Sequence, residues 1–203
     1  MPDRCGRNHL DKCVFGFRNR PIAYIGQSVL KHQPKSPLAA YAGVMQVEMI
    51  VEIPQGSRNK YEMNHETGDI WLDRTLFTAT QYPLDYGFFP GTLGEDGDPL
   101  DALVWLSQPT FPGCHVWVRP VAVFWMEDEA GGDAKVLCVP STDPRFAQYA
   151  DINDLPEHLL DEVGNFFEVY KLLEPNKDTT VRGWEGHDAA QAEIAAAFAR
   201  YKH

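Results

Sequence analysis

Three aspartates lie close together in residues 94–101, which read Gly-Glu-Asp-Gly-Asp-Pro-Leu-Asp. Asp96, Asp98 and Asp101 are separated by two and three residues, and the glycines and proline among them interrupt any regular helix or strand. Two carboxylates 4 Å apart repel each other by roughly 1 kcal/mol in water and by about 4 kcal/mol at an effective dielectric constant of 20. The segment is therefore either a solvated acidic turn or a site for a hard cation such as Mg²⁺ or Ca²⁺, which prefers oxygen ligands.

A second acidic segment, residues 127–135, contains Asp128, Glu129 and Asp133 together with two glycines. It leads into the apolar residues 136–139, so we predict a wide hairpin with an acidic loop at its end. Another carboxylate, Glu52, falls on the non-core face of the first predicted strand.

Basic and phenolic side chains are spread over several separate segments: Lys60, Arg74, Tyr86, Lys135, Tyr170 and Lys171. Carboxylates that hold several divalent ions, surrounded by Lys and Arg, suit a compact phosphate as substrate. Two or more metal ions can bridge phosphoryl oxygens and lower the pKa of a bound water, which then becomes a nucleophile at neutral pH. The GxxxxGK[ST] pattern of a nucleotide-binding P-loop is absent from the sequence.

Each of these residues has a structural explanation when it is taken alone. Lys60 and Glu62 could form a surface ion pair worth ~0–1 kcal/mol. Lys135 could protect an edge strand, and Tyr170 could belong to the core face of a helix. The joint pattern is what favours a phosphate site.

Composition narrows the choice of partners. The chain has 203 residues and a formal net charge of −11. Its first 44 residues contain seven basic and two acidic residues, whereas the remainder contains 11 and 27. This acidic body argues against nucleic acid as a partner, and no apolar run is long enough to span a membrane. The four cysteines form no CxxC pair, so we expect a reducing compartment.

Residues 1–44 differ in character from residues 45–203, which we predict to form the functional domain. Three interpretations compete for the first segment: a disordered native arm, a transit peptide, or non-native sequence upstream of a true start at Met45. We favour the last because composition changes there and the first strand pattern begins at the same point.

Period-2 alternation predicts a strand at residues 45–53, and strands are also predicted at residues 60–64 and 69–74. Apolar runs predict further strands at residues 100–106 and 114–126, the latter rich in β-branched and aromatic residues. In the first, Val47, Met49, Val51 and Ile53 form the core face; in the third, Ile70 and Leu72 should point inward. Pro120 indicates an edge or a bulge.

Two helices are predicted to close the chain. The first begins near Pro156 and carries an apolar stripe that extends to Leu173. It should stop at residues 174–176. The second should begin with a capping box formed by Asp188 and Gln191.

Seven strings in this sequence, in this order, resemble the soluble family I inorganic pyrophosphatases, especially bacterial and actinobacterial-like members. They are Glu52-Ile53-Pro54, Asn59-Lys60-Tyr61-Glu62, Leu72-Asp73-Arg74, Tyr82-Pro83-x-Asp85-Tyr86-Gly87, Asp96-Gly97-Asp98-Pro99-Leu100-Asp101, Asp128-Glu129-Ala130-Gly131-x-Asp133-Ala134-Lys135 and Phe166-Phe167-x-x-Tyr170-Lys171. The resemblance runs from about Met45 to the C-terminus and leaves residues 1–44 unexplained.

The resemblance implies an α+β, mainly β fold: a small closed β-barrel of OB type with flanking C-terminal helices. It implies hydrolysis of inorganic diphosphate to two phosphates with several Mg²⁺ ions, with Mn²⁺ as an alternative. It also implies a cytoplasmic homohexamer that acts in phosphate metabolism.

The resemblance also assigns roles to individual residues. The implied metal ligands are Glu52, Asp96, Asp101, Asp128 and Asp133. The implied substrate contacts are Lys60, Arg74, Tyr86, Tyr170 and Lys171. Asp98 matches the residue that takes a proton from the attacking water, a role sometimes given to Asp133, and Glu62 and Lys135 match secondary polar positions.

Two positions stand apart from this pattern. Gly132 replaces an acidic residue of many relatives, which should loosen its loop more than remove a ligand. His65, just past the second strand, is expected to be a solvent-exposed turn residue.

A function of another class is a Ca²⁺-stabilised OB-like binding module whose acidic loops are structural. The Lys, Arg and Tyr cluster counts against it, because a structural calcium site does not need these groups.

Overall fold

The computed structural model describes residues 45–128, 131–175 and 179–202. Within them the chain forms eight β-strands: β1 Val47–Ile53, β2 Asn59–Met63, β3 Ile70–Thr75, β4 Asp85–Phe88, β5 Asp101–Val104, β6 His115–Asp128, β7 Gly131–Pro140 and β8 Thr180–Gly186. It also forms helices α1 Glu157–Val169 and α2 His187–Tyr201, and short 3₁₀ helices at Pro144–Phe146 and Ile152–Asp154. None of the described helices is long and apolar enough to cross a membrane. The prediction for residues 1–44 falls outside the described residues.

Six strands form one sheet in the order β1-β4-β5-β7-β6-β8, and β1 pairs with β6 as well as with β4. All pairings in this sheet are antiparallel except that of β5 with β7. The remaining strands, β2 and β3, form a separate two-stranded hairpin. The fold is thus mainly β with two helices.

Both faces of the six-stranded sheet are buried, because each faces a different helix. Leu103 and Leu137 lie in a cluster with the α1 residues Val163, Phe166 and Phe167. Their chain neighbours point the other way, into a cluster with α2 that contains Ala102, Val104, Val136, Cys138, Ala190 and Ile194. Burial of each large apolar side chain contributes roughly 1.5–3 kcal/mol to the free energy of folding. The sheet is therefore a stable support for the loops that follow its strands.

The predicted core face of β1 is confirmed, with one change of side at a bulge. Val47, Met49 and Val51 are buried in the α2 cluster, whereas Ile53 is buried in the α1 cluster. The register with β4 shifts between Val51 and Ile53. Glu52 is the intervening residue at this bulge, and bulges often re-aim a side chain.

The sequence predictions for the turns and strand ends were partly wrong. The acidic segment at 127–135 is mostly strand, because β6 and β7 pair out to Asp128 and Gly131. The prediction that Leu72 points inward is wrong: it is 56% exposed, since none of the described residues covers that face of the hairpin. The predicted irregularity at Pro120 is confirmed by a register shift between Pro120 and Ala122.

The C-terminal predictions also needed correction. Helix α1 ends at Val169, so Leu173 lies beyond it and is exposed. Helix α2 begins at His187 after Gly186, so the predicted capping box of Asp188 and Gln191 is wrong. The His187 amide instead donates to Asp151 Oδ2 at 2.9 Å. Strand β8 was missed, because Thr180–Gly186 contains glycines and charged residues and lacks a clear alternation.

Candidate active site

Several elements contribute polar side chains to one cavity of about 310 Å³. Its polar and phenolic lining consists of Glu52, Lys60, Glu62, His65, Tyr82, Tyr86, Asp96, Asp98, Asp101, Asp133, Lys135, Tyr170 and Lys171. Strands β1, β2, β4, β5 and β7, the loop before β5 and the end of α1 all supply residues. The cavity therefore collects most of the chemistry-bearing side chains that the sequence singled out.

The loop before β5 is held by its own backbone. Gly97 has φ of +96°, a conformation that costs glycine little. The Gly94 amide donates to the Asp98 carbonyl at 2.6 Å, and the Asp98 amide donates to an Asp96 carboxylate oxygen at 3.1 Å. These bonds turn the chain so that Asp96, Asp98 and Asp101 all line the cavity, with Asp98 exposed to solvent.

Lys135 lies at the centre of the polar network, and its side chain is 1% exposed. Its Nζ donates to Asp101 Oδ2 at 2.6 Å, to Asp133 Oδ1 at 2.7 Å and to the Tyr86 hydroxyl at 3.2 Å. Tyr86 in turn donates to Asp101. Because β5 and β7 are parallel neighbours with Asp101 opposite Lys135, the sheet register brings these groups together.

Burial and charge fix the protonation states of this network. Burial lowers the pKa of the Lys135 ammonium, but Asp101 and Asp133 outweigh this effect, and its pKa lies well above the usual lysine value. Burial raises the pKa of the Tyr86 hydroxyl well above its usual value, with Asp101 adding to the shift. At neutral pH, Lys135 is therefore charged and Tyr86 is a hydrogen-bond donor.

Glu52 is buried at the bulge of β1. Burial raises its pKa to about 7, although the Met63 amide donates to Glu52 Oε1 at 2.7 Å and opposes the shift. Burial also raises the pKa of Asp96, with further contributions from the nearby Asp133 and Asp98 carboxylates. Clustered carboxylates with raised pKa values are typical of functional sites.

The β2–β3 hairpin forms one wall of the cavity. Lys60 Nζ lies 2.5 Å from Glu62 Oε1, and both residues line the cavity. His65 is an exposed turn residue, as predicted, yet it also lines the cavity, where its ring meets Phe88 edge-on at 4.9 Å between centroids.

Two predicted site residues are not placed in the cavity by the structure. Arg74 is cross-strand from Lys60 but does not line the cavity; it binds Glu174 and Asp73 instead. The side chain of Asp128 lies outside what the structure describes, as does Glu129.

Sequence reasoning missed the part that Glu174 plays. Its side chain is 6% exposed, and its Oε1 accepts from Arg74 Nε at 2.9 Å, across a separation of 100 residues. The sequence offered only a Glu-Pro helix stop, and a contact at such a separation leaves no local pattern.

The acidic residues that line the cavity offer carboxylate oxygens, which are the ligands that a hard divalent cation prefers. Within residues 45–128, 131–175 and 179–202, however, no three His, Cys, Asp or Glu side chains already group around one point. The Lys135 ammonium lies between two of the carboxylates. A cation would therefore bind Asp101 and Asp133 in competition with an internal positive charge.

A family model and sequence relatives both match this chain to one protein family. The model of a family described as inorganic pyrophosphatase matches residues 49–202. The inorganic pyrophosphatase of Streptomyces coelicolor is 57% identical over 158 residues, which cover 78% of this chain and 97% of that protein. The inorganic pyrophosphatase of Methanosarcina acetivorans is 54% identical over 157 residues, covering 77% of this chain and 93% of that protein.

Solved structures agree with the sequence comparison. The crystal structure of inorganic pyrophosphatase from Thermus thermophilus superposes with a TM-score of 0.76 at 50% identity, covering 78% of this chain and 92% of that chain. The inorganic pyrophosphatase of Helicobacter pylori also superposes with a TM-score of 0.76, at 42% identity, covering 78% of this chain and 94% of that one.

Proposed function

The chain belongs to the inorganic pyrophosphatase family, whose members are hydrolases that act on diphosphate, and we propose that the cavity is where it hydrolyses diphosphate to two phosphates with Mg²⁺. The observation that carries the proposal is the convergence of acidic, cationic and phenolic side chains in one cavity of about 310 Å³. A small, highly charged anion needs cationic and hydroxyl donors, and the carboxylates need cations before such an anion can enter.

Membership in this family implies a divalent metal requirement. We assign the metal ligands as Glu52, Asp96, Asp101, Asp128 and Asp133, with Mg²⁺ as the ion and Mn²⁺ as a substitute. When bound, Mg²⁺ would neutralise phosphoryl oxygens and acidify a water molecule.

We assign the remaining roles to side chains that can donate or accept protons. Lys60, Tyr86, Tyr170 and Lys171 line the cavity and would donate to phosphate oxygens, and Arg74 would join them from the rim. Asp98 is the proposed base: it takes a proton as water oxygen bonds to one phosphorus and the bond from that phosphorus to the bridging oxygen breaks.

Asp133 is the alternative base, and the hydrogen bond that its Oδ1 accepts from Lys135 Nζ at 2.7 Å counts against that role, because this oxygen already has a donor. Glu62 and Lys135 act as secondary polar groups in this proposal. Lys135 donates to both Asp101 and Asp133 and so fixes their positions.

We further propose that the sheet is a closed OB-like barrel with flanking helices. The support is the ring of pairings in which β1 contacts both β4 and β6. We also propose that residues 45–203 are the enzyme domain, that the enzyme is cytoplasmic, and that it assembles as a homohexamer. The family match over residues 49–202 supports the first of these.

Phosphate release from diphosphate tests the proposed function. Purified protein should release phosphate in Mg²⁺ and stop when EDTA is added, and excess Ca²⁺ should inhibit because its larger, looser coordination would misplace the water. Full activity in EDTA would exclude the metal mechanism. Absence of phosphate release under all conditions, with Ca²⁺ raising thermal stability, would favour the Ca²⁺-stabilised binding module.

A further inference from the structure

We propose that Glu174, which lies outside the cavity, is a positioning residue that sets the cationic wall of the site through Arg74; this inference rests on the proposed function. Glu174 does not line the cavity. Its partner Arg74 lies on the hairpin that carries Lys60 into it. The contact between them joins two parts of the site that the chain separates by 100 residues.

The β2–β3 hairpin needs such an anchor because it shares no strand ladder with the six-stranded sheet in the described part of the chain. At its tip, the Met63 amide donates to Glu52. At its base, the Tyr82 amide, from the segment before β4, donates to the Ser57 carbonyl at 3.0 Å. Along its side, Arg74 forms an ion pair with Glu174 of the segment after α1.

That segment is itself part of the cavity wall. Tyr170 and Lys171 line the cavity and are buried, and the Glu174 amide donates to the Lys171 carbonyl at 2.8 Å. This turn points Glu174 away from the cavity toward the hairpin. One short turn therefore supplies two predicted substrate-binding residues, Tyr170 and Lys171. It also supplies the carboxylate that binds a third predicted substrate-binding residue, Arg74.

Charges alternate in sign from Glu174 to the cavity. Arg74 binds Glu174 through Nε and Asp73 through Nη1. Asp73 Oδ2 lies 3.7 Å from Lys60 Nζ, which also binds Glu62. Glu174 is the most buried acid of this series, with 6% of its side chain exposed, compared with 31% for Asp73 and 54% for Glu62. Water screens a buried charge least, so Glu174 fixes the guanidinium, and Arg74 fixes Asp73 beside Lys60.

The test measures binding and turnover separately in Glu174→Gln, which keeps the size of the side chain and removes its charge. We expect KM for diphosphate to rise by about tenfold, the size of one charge-assisted hydrogen bond, with kcat within about twofold of wild type. The Kd of imidodiphosphate, a non-hydrolysable analogue, measured by calorimetry in Mg²⁺, should rise by the same factor. In an Arg74→Met background, Glu174→Gln should have little further effect, because it acts through Arg74.

Two further variants make the test specific. Glu174→Asp keeps the charge and should lose less affinity than Glu174→Gln. If Glu174→Gln does not fold, Glu174→Asp provides the test in its place. Asp143→Asn is the matched control: it removes the charge from another Arg–carboxylate pair, with Arg145 Nε at 2.9 Å, that does not line the cavity. KM and kcat should be unchanged in it.

The outcomes separate the inference from the proposed function. If wild-type protein releases no phosphate, the proposed function fails and this inference fails with it. If wild type is active, the inference alone is overturned when Glu174→Gln leaves KM and the analogue Kd unchanged, or when it lowers only kcat. It is also overturned when Glu174→Asp and Glu174→Gln lose the same affinity, or when the effects of Glu174→Gln and Arg74→Met on KM are additive.

Discussion

At the scale of one residue, Glu52 shows how a buried carboxyl group reduces stability. The residue is 9% exposed, and burial raises its pKa from 4.5 to about 7. Between these two values the folded protein holds a proton on Glu52 that the unfolded chain releases. The free energy of unfolding must therefore fall as the pH rises through this window. Above pH 7 the ionised, buried carboxylate costs on the order of 3 kcal/mol without a cation beside it.

The Glu52→Gln variant tests this cost. Glutamine cannot ionise, and its carbonyl can still accept from the Met63 amide. We expect the variant to be more stable than wild type at pH 8 in EDTA, by up to ~3 kcal/mol, and about equal to it near pH 4.5. Urea unfolding at several pH values measures the difference. Glu66→Gln, in an exposed turn, should follow the wild-type curve; a Glu52→Gln curve parallel to wild type would contradict the account.

At the scale of elements, the pairing of β1 with β4 sets the position of Tyr86. A Cβ placed on the neighbouring Gly87 would lie 1.9 Å from the Ile50 carbonyl oxygen. No side chain fits at that distance while the strands stay paired, so glycine is required here by close backbone approach.

Gly87→Ala should therefore lower the free energy of unfolding by about 3 kcal/mol or more, because the two strands must separate. The comparison is Gly68→Ala in the β2–β3 turn, where φ is +76° and no atom lies within 4 Å. That variant should lose only ~1–2 kcal/mol, the cost of the left-handed conformation. Chemical denaturation of both variants provides the measurement, and equal losses would show that contact with Ile50 is not the cause.

Elements with strong periodicity could be predicted from the sequence, and their ends could not. The alternation in β1 and the apolar stripe of α1 were confirmed, since both are properties of adjacent residues. The ends of β6 and β7 were not predicted, because cross-strand pairing out to Asp128 and Gly131 stabilises residues of low strand propensity. Strand β8 was missed for a similar reason: β6 provides its pairing.

In the site, too, properties of nearby residues could be predicted from the sequence, whereas contacts that depend on the fold could not. Residue types and spacing identified the carboxylates and the lysines that line the cavity. They could not show that Lys135 is the buried centre of the network, because that depends on the parallel register of β5 with β7. Nor could they show that Arg74 binds Glu174, a contact that depends on the docking of the hairpin.

At the scale of the whole molecule, the first question is how much of the chain the enzyme needs. The strand pattern begins close to Met45 and the family match begins at residue 49. A protein that starts at Met45 should therefore fold and keep full diphosphate hydrolysis. Thermal unfolding and phosphate release, compared with the full chain, provide the measurement. Insolubility or loss of activity would show that residues 1–44 are part of the enzyme.

The central claim is that one cavity joins metal ligands to a proton-accepting base, and two aspartates three residues apart allow it to be tested. Asp101 contacts the buried Lys135, whereas Asp98 is exposed and does not. Asparagine matches aspartate in size, but it binds cations more weakly and cannot take a proton near neutral pH.

The most direct measurement is therefore the rate of phosphate release as a function of Mg²⁺ concentration for wild type, Asp98→Asn and Asp101→Asn. For Asp101→Asn we predict weaker Mg²⁺ activation that high Mg²⁺ partly restores. For Asp98→Asn we predict nearly normal Mg²⁺ activation with kcat lowered by ~10²–10⁴-fold, the contribution of general-base catalysis, and no rescue by Mg²⁺. Rescue of Asp98→Asn but not of Asp101→Asn would reverse the two roles, and wild-type rates in both variants would contradict the assignment of this cavity as the active site.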